Sequence, residues 1–223
     1  MSYSVNLLQQ IVSKIDGKIA LSFSYQAEDT AALHLLLQCG IKSLEVFTLD
    51  TGKLFHECEK LHKETEEFFG ISIKRYLPKI DDVKNLENTL GAWGMRESLK
   101  NRHLCCHVRK VEPLSRALKG KSAWVTGLRA SQSITRNALR IVEYDEKFNL
   151  FKINPLDSWS EADVFNYIKE YNLPLNSLYS KGFKSIGCEP CTRAVGENED
   201  VRAGRWWWEN PEHKECGLHI KEK

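Results

Sequence analysis

Four of the seven cysteines have the spacing of a metal-binding set. Cys105 and Cys106 are adjacent, and Cys188 and Cys191 form a CxxC pair later in the chain. Four thiolates can hold either an iron–sulfur cluster or a structural zinc ion. Two neighbouring side chains diverge, which is awkward around one tetrahedral ion, whereas each can ligate a different iron of a cubane. The spacing therefore favours a [4Fe-4S] cluster, with zinc or unrelated buried cysteines as the alternatives.

A further cysteine, Cys216, lies in the short motif ECGLH, three residues before His219. Two basic residues, Arg202 and Arg205, precede it in the sequence. Nearby cations favour ionisation of a thiol, and the thiolate is the nucleophilic form, so this cysteine is a candidate nucleophile. A structural cysteine is the alternative interpretation.

Three segments carry groups that suit an anionic ligand. Lys110 follows Cys106 by four residues, so on a helix it would place a cation on the same face. Residues 22–30 offer hydroxyls and amides just before a predicted helix, where phosphate or sulfate binds well. Residues 127–136 add two arginines, which grip such oxyanions in a bidentate fork. Each segment also has an alternative without a ligand: a solvated basic helix face around Lys110, a capped turn at 22–30 and a solvated loop at 127–136.

Alternating strands and helices must position these groups. Apolar and β-branched runs predict strands over 18–24, 44–49, 71–77 and 123–127, whereas apolar residues three or four apart predict helices over 6–15, 27–39, 54–69 and 106–118. Another helix is predicted from Ser160, which can cap it. The alternation predicts an α/β fold with a mostly parallel sheet flanked by helices. Ligands of such folds bind beyond the carboxyl ends of the strands.

The helical periodicity is lost after Tyr171. We therefore expect a nucleotide-binding α/β domain over 1–171 and a loop-rich C-terminal segment over 172–223. That segment holds the CxxC pair and Cys216, and we expect it to pack on the same domain. Metal ligation would tie it to the core near Cys106.

The composition limits the possible partners. The 223 residues have a formal net charge of +2, with basic and acidic side chains mixed, so no nucleic-acid partner is expected. No apolar run approaches the ~20 residues that span a bilayer, and residues 1–13 lack the features of a secretion signal. We therefore expect a cytoplasmic protein with no membrane partner. The odd cysteine count argues against a secreted disulfide framework.

Together these pieces resemble the assimilatory APS/PAPS reductase family, where APS is adenosine 5′-phosphosulfate and PAPS is its 3′-phosphorylated form. The resemblance runs from about Ala20 to His219, and the joint presence and order of the motifs are specific. The matching segments are 22–30, Leu49-Asp50-Thr51-Gly52, Cys105-Cys106 with Arg109-Lys110, 127–136, Cys188-Glu189-Pro190-Cys191-Thr192-Arg193 and Glu215-Cys216-Gly217-Leu218-His219.

The resemblance implies an adenine nucleotide α-hydrolase-like fold related to PP-loop ATP pyrophosphatases, with 22–30 as a modified phosphate loop. It implies that Cys216, with His219 nearby, attacks the sulfur of APS and forms an S-sulfocysteine, from which thioredoxin or a glutaredoxin-like reductant releases sulfite. A [4Fe-4S] cluster would bind to the four cysteines. The implied substrate-binding residues are Ser22, Phe23, Ser24, Asp29, Leu49, Asp50, Thr51, Gly52, Lys110, Gly127, Arg129, Arg136, Arg202 and Arg205.

Three other functions are compatible with parts of the pattern. The nearest is the same chemistry on PAPS, or on both nucleotides, although members with the tandem and CxxC cysteines resemble APS users. The others are a PP-loop ATP-dependent ligase or thiolation enzyme and a zinc-stapled interaction module. The loop around Tyr25 and Gln26 is longer than in some family members, so its individual contacts do not follow from the resemblance.

Overall fold

A computed structural model describes residues 2–41, 43–132 and 139–210. The predictions for Arg136, Cys216 and His219 lie outside these residues. The proposed division at residue 171 stays a prediction. None of the helices in the described part combines the length and hydropathy that crossing a bilayer requires.

The described residues form one six-stranded sheet in the order β3-β2-β1-β4-β6-β5. Every pairing is parallel except that of β5 with β6, so the predicted mostly parallel sheet is confirmed. In the register of the central strand, Ile19 lies beside Leu44 on one side and Ala123 on the other. The strands are β1 Ile19–Ser22, β2 Leu44–Leu49, β3 Ile73–Tyr76, β4 Ala123–Val125, β5 Val142–Asp145 and β6 Leu150–Ile153.

Helices cover both faces of this sheet, as the alternation of elements predicts. Four of them match predicted helices closely, and α7 begins with the predicted Ser160 cap, which forms a capping box with Asp163. Helix α4 was not predicted, whereas α5 and α6 together correspond to the predicted helix over 106–118. The helices are α1 Ser2–Ser13, α2 Ala27–Gln38, α3 His56–Phe69, α4 Ile80–Leu90, α5 Leu99–Cys106, α6 Glu112–Leu118 and α7 Glu161–Glu170.

The core lies on the two faces of the sheet and follows the alternation of side chains along each strand. In β1, Leu21 joins the larger cluster with Leu33 of α2. The intervening Ala20 faces the other way and packs in a second cluster with Leu114 of α6. All three strand positions from Ile19 to Leu21 are buried, as expected for a central parallel strand covered on both sides.

A π-helical turn, His107–Val111, joins α5 to α6. The amide of Glu112 donates to the carbonyl oxygen of His107, five residues earlier. Pro113 follows at the start of α6 and has no amide hydrogen to donate to an earlier carbonyl, which accounts for the widened turn before it. The predicted helix over 106–118 is therefore three segments, and α5 begins seven residues earlier than predicted.

Between α7 and residue 210, where the described part ends, the chain has little regular structure, in agreement with the loss of periodicity. This stretch forms two short 3₁₀ helices, Ser177–Lys181 and Glu189–Cys191, and one isolated bridge between Thr192 and Arg205. A backbone hydrogen bond from Glu189 N to the oxygen of Lys53, 2.8 Å, ties the CxxC turn to the loop after β2.

Candidate active site

A cleft opens at the carboxyl ends of β1, β2 and β4. Strands β2 and β3 lie to one side of β1 and strand β4 lies to the other, so the direction of the connections reverses beside β1. Ligands of open α/β sheets bind at such a reversal. The cleft has an empty volume of about 1070 Å³, open solvent included. Nine predicted substrate-binding residues line it, namely Ser22, Phe23, Ser24, Asp29, Leu49, Lys110, Gly127, Arg202 and Arg205.

Residues 22–27, here called the phosphate loop, connect β1 to α2. The Ser24 amide and hydroxyl both donate to Asp29 Oδ2, at 2.7 and 2.6 Å. Tyr25 has a left-handed backbone, with φ of 66°, and its buried hydroxyl lies 3.1 Å from His62 Nδ1 of α3. Of the two residues at which the loop is longer, Tyr25 is therefore folded inward, whereas Gln26 lines the cleft.

Asp29 lies beneath this loop, in the first turn of α2. Burial raises the pKa of its carboxyl to about 7, against the lowering effect of the Ser24 hydrogen bonds, and the neighbouring Glu28 raises it further. A Cβ at Gly127 would lie 2.5 Å from Asp29 Oδ1, so the absence of a side chain allows β4 to approach α2 closely. Asp29 thus supports the phosphate loop through Ser24.

Arg129 lies behind the cleft lining and is 2% exposed. Its Nε and Nη2 donate to Glu28 Oε1 at 3.0 and 2.9 Å, and Nη1 donates to the Ser131 hydroxyl. Gln132 Nε2 donates to the same Glu28 oxygen at 2.9 Å and itself lines the cleft. The structure therefore places the Arg129 guanidinium against a carboxylate, and its predicted role toward substrate stays a prediction.

The four predicted metal ligands, Cys105, Cys106, Cys188 and Cys191, all line a second cavity, here called the cysteine cavity. The first two come from the end of α5, and the other two flank the short 3₁₀ turn that contains Pro190. Arg96 Nη2 donates to the oxygen of Pro190 at 2.6 Å and so holds this turn against the rest of the fold. None of the four takes part in a disulfide within the described residues.

The cysteine cavity has a strongly basic wall. Its ionisable lining, the cysteines aside, consists of five basic side chains without an acidic one among the described residues: Lys53, Arg102, Arg109, Lys110 and Arg205. Met95 and Trp206 complete the wall. Four thiolates on a metal cluster carry net negative charge, which these cations would balance. The described residues bring no three candidate ligands close enough to hold a single metal ion, so it is the chemistry of the donor set and the charge around it that suit an iron–sulfur cluster.

The thiol pKa values respond to this charge. Burial raises the pKa of Cys188, but Lys110, a hydrogen bond with the Thr51 hydroxyl and Arg205 outweigh it, so the pKa is lower than usual. Burial and the charge of Cys188 raise the pKa of Cys191 to about 11. Of these two thiols, Cys188 therefore loses its proton at the lower pH.

Lys110 and Arg205 line both the cleft and the cysteine cavity, so these two cations form the common wall of the two spaces. Arg205 is 6% exposed; its Nη1 donates to the oxygen of Ile186 at 3.0 Å, whereas Nε has no hydrogen-bond partner in the described part of the chain. Its guanidinium packs on Trp206 at 4.6 Å.

The predicted nucleotide residues Asp50, Thr51 and Gly52 are not among the described residues that line the cleft or the cysteine cavity. Asp50 Oδ1 accepts from the Gly52 amide at 3.0 Å, and its Oδ2 lies 3.5 Å from Arg75. The Thr51 hydroxyl accepts from Cys188 at 3.3 Å, and its carbonyl oxygen accepts from Arg109 at 2.7 Å. Leu49 is the member of this motif that lines the cleft.

Several contributors were not predicted from the sequence. Arg102 is fully buried, donates to Glu209 at 2.6 Å and lines the cysteine cavity. Its position three and four residues before the tandem cysteines is helical spacing, which could have indicated a shared face. Leu128 and Gln132 lie within the predicted 127–136 segment, but no comparable local pattern marks the other cleft residues that were not predicted, such as Thr126, Lys184, Ser185 and Ile186.

Comparison with known proteins agrees with this geometry. A family model described as "Phosphoadenosine phosphosulfate reductase domain" matches residues 18–194. The adenosine 5′-phosphosulfate reductase of Allochromatium vinosum is 47% identical over 98% of this chain and 85% of its own length. A crystal structure of phosphoadenylyl-sulfate (PAPS) reductase from Candida auris is 27% identical, with a TM-score of 0.71, and the match covers 86% of this chain and 90% of that one.

A more distant structural match shows the fold alone. Candida glabrata FMN adenylyltransferase is 15% identical with a TM-score of 0.57, covering 99% of this chain and 74% of that one. The sheet and cleft thus define an α/β protein of the adenine nucleotide α-hydrolase-like, PP-loop-related class. Within that class, the chain belongs to the phosphoadenosine phosphosulfate reductase domain family.

Gly187 provides a test of the common wall. A Cβ at this position would lie 2.3 Å from the Arg205 guanidinium, which is buried and has little room to move. We expect Gly187→Ala to displace the guanidinium and weaken APS binding about tenfold, the size of one lost charge-assisted contact. The measurement is calorimetry with APS on a Cys216→Ser background, in which the predicted nucleophile is removed.

Gly196→Ala is the matched control, because its Cβ would meet only the flexible Glu199 side chain, at 3.7 Å. Its APS affinity should equal that of the parent. Unchanged affinity in Gly187→Ala would contradict the role given to Arg205.

Asp29 should make APS binding dependent on pH. As the pH rises through its pKa of about 7, the Asp29 carboxyl becomes charged in the cleft where APS is expected to bind. The other charged side chains that line this cleft are Glu28, Lys110, Lys184, Arg202 and Arg205. Repulsion should then weaken APS binding about fivefold between about pH 6 and about pH 8. Calorimetry across this range is the measurement, and Asp29→Asn should flatten the curve.

Asp50→Asn is the control for this pH profile, since its carboxylate faces Arg75 and the Gly52 amide. It should keep the slope of the parent. A slope that persists in Asp29→Asn would assign the titration to another group.

Proposed function

We propose that this protein reduces APS to sulfite and AMP, with a dithiol protein as the electron donor. The observation that carries the proposal is the common wall, in which Lys110 and Arg205 line both a nucleotide-sized cleft and a four-cysteine cavity. Such a wall presents fixed cations to an anion in the cleft and to thiolates behind it. The similarity to reductases named for APS supports the same substrate.

The cleft suits an adenosine phosphosulfate in charge and in shape. Leu49, Phe23 and Leu128 supply apolar lining, while Lys184 and Arg202 add basic side chains at another part of the cleft. A mostly apolar cleft with a few charged groups is typical of nucleotide sites. We infer that the phosphosulfate lies toward Lys110 and Arg205, because the buried Arg205 and the half-buried Lys110 place two cations there.

In the first step, the Cys216 thiolate attacks the sulfur of APS. The S–O bond to the phosphate breaks, its electron pair leaves with AMP, and the enzyme retains an S-sulfocysteine. Fixed cations at the common wall would stabilise the charge that develops on the departing phosphate oxygen. The part played by Cys216 and by His219 rests on the sequence motif and the similarity to the family.

In the second step, a thiolate of thioredoxin or a glutaredoxin-like protein attacks the sulfur of Cys216. Sulfite leaves, and a mixed disulfide forms between the two proteins. The second thiol of the reductant resolves this disulfide and restores the Cys216 thiol. The dithiol supplies both electrons, so the balance requires no electron from the cysteine cavity.

Cys105, Cys106, Cys188 and Cys191 would hold a [4Fe-4S] cluster. When bound, the cluster would supply fixed charge behind the common wall and tie the C-terminal segment to α5. The protein's own contribution is the basic lining described above, which makes the cavity suitable for clustered thiolates.

Removal of a single ligand tests this assignment. Cys106→Ser should lose most of its iron, and sulfite release from APS should fall roughly tenfold or more. Cys39→Ser is the control, since Cys39 lies in the core and its thiol donates to the oxygen of Leu35. Iron and sulfide analysis after anaerobic purification is the measurement. Full activity in iron-free Cys106→Ser would contradict the role, and stoichiometric zinc in the parent would favour the interaction module.

The nucleotide preference and the nucleophile are tested together. We expect sulfite from APS with reduced thioredoxin, with PAPS turned over more slowly at equal concentration, and no sulfite from Cys216→Ser with either. Equal rates would indicate dual use, and faster turnover of PAPS would reverse the assignment. ATP hydrolysis without sulfite from either nucleotide would favour a PP-loop ligase.

A further inference from the structure

The first amide of α2 is held by a side chain from the C-terminal segment. Ala27 N donates to the Tyr179 hydroxyl at 3.0 Å, across 152 positions of sequence. Gln26, which precedes the helix, provides no side-chain cap. The Tyr179 ring packs edge-on against Phe165 of α7 at 5.2 Å, which restrains the hydroxyl. A distant tyrosine therefore satisfies an amide that helix N-termini usually leave to a local cap or a ligand.

Neighbouring contacts join the same two segments. Asn176 Nδ2 donates to the oxygen of Tyr25 at 3.4 Å. The Ile186 amide and the Ser185 hydroxyl both donate to Gln26 Oε1, at 3.3 and 3.4 Å. Residues 176–186, here called the brace, thus contact three consecutive positions of the phosphate loop.

We propose that Tyr179 is a positioning residue of the nucleotide site, through which the brace sets the conformation of the phosphate loop. The inference rests on the proposed function only in taking this loop as part of the nucleotide site. Tyr179 itself is not among the residues that line the cleft. Its effect on a bound nucleotide must therefore pass through the loop.

The brace also connects the loop to the cysteine cavity. It runs directly into Gly187 and Cys188, and the oxygen of its last residue, Ile186, accepts from Arg205. The contacts that fix the C-terminal segment at the cysteine cavity therefore also fix the brace, and the brace holds the phosphate loop in place. If the Tyr179 hydroxyl is lost, the Ala27 amide must find another partner, and the loop populates other conformations.

Tyr179→Phe removes the hydroxyl and keeps the ring. On the Cys216→Ser background we expect APS to bind about tenfold more weakly by calorimetry, the cost of leaving one buried amide unpaired. With Cys216 present, KM for APS should rise while kcat changes less than about twofold, because the reacting groups are untouched.

Tyr167→Phe is the matched control. Tyr167 also bonds to α2 through its hydroxyl, 2.9 Å from His34 Nδ1, but two turns away from the phosphate loop. We expect its APS affinity to equal that of the parent. Equal affinity in Tyr179→Phe, Tyr167→Phe and the parent would overturn the inference.

Hydrogen exchange provides a readout that needs no nucleotide. Amides of residues 23–28 should exchange faster in Tyr179→Phe than in Tyr167→Phe, and slow exchange in both would count against the brace. If Tyr179→Phe does not fold, Ser185→Ala removes one donor to Gln26 and should raise the same exchange by a smaller factor. Failure of the parent to bind APS, with the exchange difference present, would overturn the proposed substrate and leave the brace supported.

Discussion

The buried charge of Arg205 is the constraint on which the arrangement of the site depends. Its side chain is 94% buried, yet within the described residues it has no carboxylate partner. Each of the other three buried arginines contacts one: Arg102 with Glu209, Arg109 with Glu87 and Arg129 with Glu28. A buried cation without a counterion is costly, and for this reason removal of the anionic partner from a buried ion pair usually costs about 3–5 kcal/mol. The anions that would balance Arg205 are thiolates on one side and a phosphosulfate on the other.

The backbone around α5 and α6 gives the second cation its position. Lys110 lies in the π turn, between the tandem cysteines and Pro113. A π turn rotates the following residues relative to an ordinary helix, and such turns are frequent at functional sites. The tandem cysteines and Lys110 therefore belong to one continuous helical run, which sets the cation against the cavity that the thiols line. One irregularity in a helix thus contributes to the position of Lys110, the second cation of the common wall.

The strands and most helices were predictable because their residues repeat with a clear period. Strand β2 has its predicted bounds, since apolar or β-branched residues occupy every position except Glu45. The hairpin of β5 and β6 was missed because Glu143 and Asp145 interrupt the apolar pattern and a sheet edge tolerates them. The destinations of Arg129 and Thr51 could not be predicted either. Arg129 is held by Glu28 and the Thr51 hydroxyl is bonded by Cys188, and each of these partners lies far away in sequence.

Tyr25 explains how the longer phosphate loop is accommodated. A non-glycine residue in a left-handed conformation costs roughly 1–2 kcal/mol. Burial of an aromatic ring returns roughly 2–3 kcal/mol, and Tyr25 is 1% exposed and in edge contact with Phe23. Burial also lowers the pKa of His62, which favours the neutral ring that can accept from the Tyr25 hydroxyl. The loop is therefore anchored to α3 below and to the C-terminal segment beside it, so its shape is fixed before a nucleotide arrives.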